Sequence, residues 1–175
     1  MSENTPHIVE LITTGGTIEK TYDERTGALA NTMSIVDRML RRLRLTDVRI
    51  RVHELLHKDS LEFTDADRER VLGAVRSASE TTDSIVLLHG TDTLAVTGEY
   101  LCEAIPEPTV RIVLTGAMRP FEMRRSDALQ NLTEAILASQ LLWPGVYFVG
   151  HGRAMRFPGV RKDHDRGTFV MSALS

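Results

Sequence analysis

Five short apolar runs, at residues 8–13, 48–56, 84–89, 110–115 and 146–149, alternate with four segments whose apolar residues recur every three or four positions, at 35–45, 65–79, 94–104 and 126–142. Several of the runs are apolar almost throughout, "SIVLLH" at 84–89 being the plainest. A strand with one solvated face alternates apolar and polar residues, whereas a strand covered on both faces has no need to. The pattern therefore predicts an α/β fold, a mostly parallel sheet between helix layers, with residues 1–175 forming a single domain. Thr64 before Asp65-Ala66-Asp67 and Ser126 before Asp127 are start signals for two of the covering helices. Segments 19–32 and 150–170 follow neither period and are expected to be irregular, mobile loops.

In an open sheet of this Rossmann- or flavodoxin-like three-layer kind, ligands bind beyond the carboxyl ends of the strands. The residues there are rich in glycine and hydroxyls: the first run leads into "TTGGTIE", the third into "HGTDT" and the fourth into "TGAMRP". Any one of these turns is accounted for as the link a strand needs before its helix; three together point to a site. Thr17 follows Gly15-Gly16, where absent side chains let a substrate carbonyl approach the backbone and leave N–H groups for an oxyanion. That is what a threonine nucleophile requires. A phosphate cradle needs a longer glycine loop ending in lysine, which "TTGGTIEK" does not provide. A hydroxyl attacks poorly until a neighbour takes its proton. Tyr22 is one candidate for that role and, equally, an ordinary surface aromatic. Thr91-Asp92 sets a second hydroxyl beside a carboxylate that either holds an ammonium and orients proton transfer, or caps the helix beginning near Thr93.

Composition removes several function classes. A net charge of −3 gives no basic footprint, and Arg41, Arg42 and Arg44 form the polar side of one predicted helix, so no nucleic-acid partner is expected. The single cysteine, Cys102, excludes an intrachain disulfide and a multi-cysteine metal cage and suits a reducing compartment. Residues 1–10 lack a basic start with a continuous apolar stretch, and no run reaches membrane-spanning length; a cytoplasmic protein with no membrane partner is expected. His53-Glu54-Leu55-Leu56-His57 spells the H-E-x-x-H zinc signature, which works only on a helix, where both imidazoles share one face. The preceding residues 48–53 alternate in strand period, so a strand and no metal are expected here.

The strings "TTGGTI", "HGTDTLAVTGEYL" and "VLTGAMRPFEMRRSDALQNL" resemble, in order, the two threonine signatures and the adjoining segment of the bacterial-type L-asparaginases. These enzymes deaminate asparagine, and often glutamine, by way of an acyl-threonine. The resemblance runs from His7 to about Lys162. It implies Thr17 as the nucleophile, Thr91 as the second threonine and Asp92 as the holder of the substrate α-amino group. It also implies a catalytic tyrosine in the loop after the first threonine, assigned to Tyr22, and a relay lysine, assigned to Lys162 in "GVRKD". In "DSLEFTDAD", which is similar to the family's D-S-x-x-x-T segment, Ser60 with Asp59 beside it is implied to bind the substrate α-carboxylate. An ammonium held against a carboxylate is no free amine base, so Lys162 is expected to act within a hydrogen-bonded relay. Backbone N–H groups near Gly16 and Thr91 are expected to hold the oxyanion.

The implied reaction, L-asparagine to L-aspartate and ammonia, needs no cofactor. Full-length members carry a second, C-terminal domain absent from this sequence, which resembles the short single-domain members; a homo-oligomer, tetramer or dimer, is expected. The alternative function is a non-catalytic amino-acid-binding or regulatory module with the same fold. The acidic charge balance argues against an amidotransferase component acting on aminoacylated RNA.

Overall fold

The computed structural model describes residues 5–172; residues 1–4 and 173–175, the ends of the expected single domain and of the segment read for a leader, lie outside the described residues. A six-stranded sheet forms the centre. Its strands are β1 (His7–Gly15), β4 (Val48–Lys58), β5 (Ser84–Leu88), β6 (Arg111–Thr115), β7 (Gly145–Gly150) and β8 (Arg153–Arg156), ordered β4-β1-β5-β6-β7-β8. Every pairing is parallel except the last, where β8 folds back antiparallel on β7. The helices α1 (Val36–Leu40), α2 (Asp65–Ser79), α3 (Leu94–Ala104) and α4 (Ala128–Leu141) cover both faces.

Burial explains why the central strands read as unbroken apolar runs. Ile85 and Leu87 enter the core under α2 and α3, while Val86 and Leu88 enter the core under α1 and α4, and all four are fully buried. The capping box predicted at Thr64 is present: its hydroxyl accepts from Asp67 N–H, and the Asp67 carboxylate accepts from Thr64 N–H at 2.9 Å. At the start of α4 the Ser126 hydroxyl accepts from Ala128 N–H at 3.1 Å.

Three expectations are corrected. The helix predicted over 35–45 is only the short α1; beyond it the backbone tightens, with Arg42 N–H and Leu43 N–H reaching three residues back to Met39 and Leu40 carbonyls. Segment 19–32 contains a hairpin, β2 (Thr21–Asp23) with β3 (Ala28–Ala30), whose turn passes through Gly27 at φ 69°. Segment 150–170 is built, not irregular: besides β8 it forms the hairpin β9 (Val160–Asp163) with β10 (Thr168–Met171). Phe157, Val160 and Phe169 pin it to the core, Phe169 lying 4.1 Å from the Phe148 ring centroid. Helix α3 makes room with Gly98, where a Cβ would sit 2.1 Å from the Phe157 ring.

Strand β4 runs through all of the H-E-x-x-H string. On a strand, positions i and i+4 share a face but stand ~13 Å apart, so His53 and His57 are not arranged as that zinc motif arranges them. Among the described residues, no helix is long and apolar enough to cross a membrane.

Candidate active site

The strand order reverses beside β1: the chain leaves β1 for β4 on one side, then crosses back to β5 on the other. In open α/β sheets such a switch point is where a ligand crevice is expected, here at the carboxyl ends of β1 and β5. The two glycine-threonine turns meet there. Gly16, at φ 79°, lies so close to the second turn that a Cβ on it would sit 2.4 Å from Gly90 Cα. Gly90 in turn lies against Ser60, whose hydroxyl would be 2.5 Å from a Cβ at that glycine. Absent side chains thus bring the loops carrying Thr17, Ser60 and Thr91 into backbone contact.

Thr17 opens a single 3-10 turn, Thr17–Glu19, directly after the close-packed glycine. The Gly16 N–H is spent on the Lys58 carbonyl at 2.9 Å, so this amide is not free to hold an oxyanion. Glu19 closes the turn from below: its buried carboxylate accepts from Gly15 N–H at 3.1 Å and from the Ser34 hydroxyl. Burial raises the Glu19 pKa above the usual carboxylate range, outweighing the hydrogen bonds from Ser34 and Gly15. It therefore clasps both ends of the segment that bears the β2–β3 hairpin.

On the other side of the crevice, Lys162 reaches in from β9. Its ammonium donates to Thr91 Oγ1 at 2.9 Å and to Asp92 Oδ1 at 2.7 Å. The Lys162 side chain is 13% exposed and that of Asp92 34%. Asp92 therefore does not cap α3; the N-cap is Thr93, and no side-chain bond caps the helix. Thr93 instead fixes Ser60, donating its N–H to Ser60 Oγ at 3.3 Å and its hydroxyl to the Ser60 carbonyl at 2.8 Å.

Two of the implied residues, Tyr22 and Asp59, make no hydrogen bond to either threonine. Tyr22 stands on β2 with 59% of its surface exposed, and its hydroxyl points along the hairpin toward Gly27, bonding to neither threonine. The Asp59 carboxylate is already engaged, accepting from Lys20 Nζ at 2.7 Å and from Leu61 N–H at 3.1 Å. The Lys20 contact is the main cause holding Asp59 below the ordinary aspartate range. Sequence reasoning overlooked Lys20, Glu19 and Thr93; the only signal was their position inside the quoted strings. His89 drew no reading of its own from the sequence. This histidine is fully buried under the second turn, with Nδ1 2.8 Å from the Gly90 carbonyl and Nε2 2.9 Å from Thr97 Oγ1.

Residues 8–172 match the family model described as asparaginase, N-terminal. Over 162 residues the chain is 32% identical to an L-asparaginase of Thermococcus kodakarensis, covering 93% of this chain and 49% of that protein. It is 31% identical over 128 residues to one component of the glutamyl-tRNA(Gln) amidotransferase of Thermoplasma acidophilum, covering 73% of this chain and 31% of the relative. The solved thermostable L-asparaginase from Thermococcus kodakarensis superposes with a TM-score of 0.86 over 94% of this chain and 51% of its own. A probable cytoplasmic L-asparaginase from Campylobacter jejuni, 24% identical, shares the fold with a TM-score of 0.80 over 94% of this chain and 51% of its own. The sequence thus spans about half the length of the L-asparaginases it matches, and it belongs to the asparaginase family.

Proposed function

We propose that the protein is an amidohydrolase that converts L-asparagine to L-aspartate and ammonia through an acyl-threonine at Thr17. The observation that carries this is the Lys162 ammonium bonded at once to the Thr91 hydroxyl and the Asp92 carboxylate, one loop contact away from Thr17. Thr17 Oγ1 forms a bond to the side-chain amide carbon as its proton passes, by the Thr91–Lys162–Asp92 relay, to the departing nitrogen. The C–N bond breaks and ammonia leaves. Water then adds to the ester carbonyl, the Thr17 oxygen leaves and regains a proton, and aspartate is released. With the Gly16 amide occupied, the N–H groups of Thr17 and Thr91 are the donors proposed for the oxyanion. No metal or cofactor enters these steps.

Substrate binding uses the same crevice. Asp92 keeps one carboxylate oxygen for the α-ammonium, while Ser60 receives the α-carboxylate, with the Lys20–Asp59 pair beside it. Tyr22 stands outside the resting constellation, and its proposed part requires the β2–β3 hairpin to close over Thr17. We also propose a homo-oligomer, dimer or tetramer, supported by the exposed Leu137, Leu141 and Trp143 around the end of α4. A reducing, cytoplasmic setting is supported by the single unpaired Cys102.

A second reading rests on the relatives named as glutamyl-tRNA(Gln) amidotransferase components: release of ammonia from a glutamine-type amide for transfer elsewhere. Ammonia release from L-asparagine and from L-glutamine, by wild type and Thr17→Ala with a chelator present, tests both. Asparagine turnover that survives the chelator and disappears with Thr17 is expected. Turnover of glutamine alone would favour the second reading. Calorimetric binding of asparagine without ammonia release would make the protein an amino-acid-binding module.

A further inference from the structure

Lys162 belongs to no strand of the central sheet, so something must aim it. The β9–β10 hairpin that carries it is held at one end by Gly159 N–H, which donates to Glu99 Oε1 at 2.6 Å, and in the middle by buried Phe169, the register partner of Lys162. A third tie is made by His151, which stands just past the carboxyl end of β7 at φ 54°. Its Nδ1 lies 2.9 Å from Thr168 Oγ1, one residue before Phe169, and its Nε2 lies 2.7 Å from Asp127 Oδ2. The His151 N–H donates to Asn131 Oδ1 at 3.0 Å, fixing the backbone as well as the ring.

Asp127 is a rigid base for this line. Its carboxylate also accepts from Met118 N–H, Arg119 N–H and Asn131 Nδ2 at 2.9 to 3.1 Å. Partial burial opposes ionisation of Asp127, but the Met118, His151 and Arg119 hydrogen bonds outweigh it and hold the carboxyl below the ordinary range. An ionised Asp127 can only accept, so Nε2 carries a proton and donates to it, while Nδ1 and the Thr168 hydroxyl close the other end of the line.

We propose that His151 is a positioning residue for Lys162, locking Thr168, and with it the β9–β10 hairpin, to Asp127 at the end of the central sheet. The inference deepens the hydrolase reading, since it gives the Lys162–Thr91 bond its source of precision. Phe169 buries the hairpin against the core and Glu99 ties its start; the His151 line sets the direction of the lysine that the hairpin delivers. A misplacement of about 1 Å in such a group costs on the order of a hundredfold in rate.

Thr168→Val keeps the side-chain shape and removes the hydroxyl, Thr168→Ser keeps the hydroxyl, and His151→Asn suits the left-handed backbone but is too short to span Thr168 and Asp127. With L-asparagine, the Val and Asn variants are expected to lose about tenfold or more in kcat with KM within about twofold, and Ser to restore kcat. Reductive methylation followed by mass spectrometry is expected to show Lys162 reacting severalfold faster in Thr168→Val than in wild type or Thr168→Ser. A Val variant with wild-type kcat and wild-type Lys162 reactivity overturns the proposal. If wild type releases no ammonia, the hydrolase reading falls, and the Lys162 methylation rates alone decide whether the His151 line positions the lysine.

Discussion

Replacing His89 by glutamine should flatten the acid limb of the protein's stability curve. The imidazole is fully buried, and burial, opposed by the Gly90 hydrogen bond and aided by the nearby Arg68 charge, lowers its pKa from the ordinary 6.5 to about 4. As pH falls from 6.5 toward 4 the unfolded chain takes up a proton that the native protein refuses, so stability is lost across that window as the pH drops. At 1.36 kcal/mol per pH unit, the gap between 6.5 and about 4 amounts to about 3 kcal/mol. Other groups titrate nearby: Glu19, raised by burial, works in the opposite sense, destabilising as pH rises above 4.5. Asp67, lowered to about 2 by its Thr64 and Lys58 partners, loses its contribution between about 3.8 and 2. Both are common to wild type and His89→Gln and cancel in the difference. Urea unfolding at pH 7 and at pH 4 should therefore show the wild-type advantage over the glutamine variant shrinking by about 3 kcal/mol. Parallel curves would refute a neutral, buried His89 beneath the second threonine turn.

Gly16→Ala should destabilise by about 1–3 kcal/mol, because its Cβ meets Gly90 Cα at 2.4 Å in a left-handed backbone; chemical denaturation measures it, and activity should fall further as the Thr17 and Thr91 loops are forced apart. Lys162→Met should lower kcat by about 10²–10⁴ with little change in KM, the range for a lost proton-transfer partner. Steady-state kinetics with unchanged kcat would remove Lys162 from the chemistry. Lys20→Met should strip Asp59 of its cation and leave an anion beside the site proposed for the substrate carboxylate. KM for asparagine should then rise severalfold at low salt, and Asp59→Asn added to it should reverse the rise.

The parallel sheet was legible because Ile85 to Leu88 are buried on both faces, and only a strand between two helix layers tolerates four such residues in succession. The hairpins were not. Thr21–Asp23 and Val160–Asp163 are too short and polar to show a period, and the second is held by Phe169 and Val160 meeting a core assembled elsewhere in the chain. The candidate site divides the same way. Thr17 and Thr91 could be singled out from glycine spacing at strand ends, because the local backbone dictates those glycines. The Lys162–Thr91 bond joins residues 71 apart, and nothing local in "GVRKD" announces it; only the family resemblance named the lysine. The Lys20–Asp59 pair and the Asp127–His151–Thr168 line are likewise long-range, made by side chains whose sequence neighbours give no sign of their partners. Tyr22 shows the converse: a resemblance named it, while the structure leaves it exposed on a hairpin.

The proposed hydrolysis passes through a covalent intermediate on Thr17. Wild-type protein mixed with L-asparagine, quenched in acid during turnover and digested, should yield the peptide containing Thr17 carrying an aspartyl ester, absent from Thr17→Ala. An ester on the Thr91 peptide instead, or ammonia release with no acylated threonine under conditions that trap the intermediate, would contradict the account.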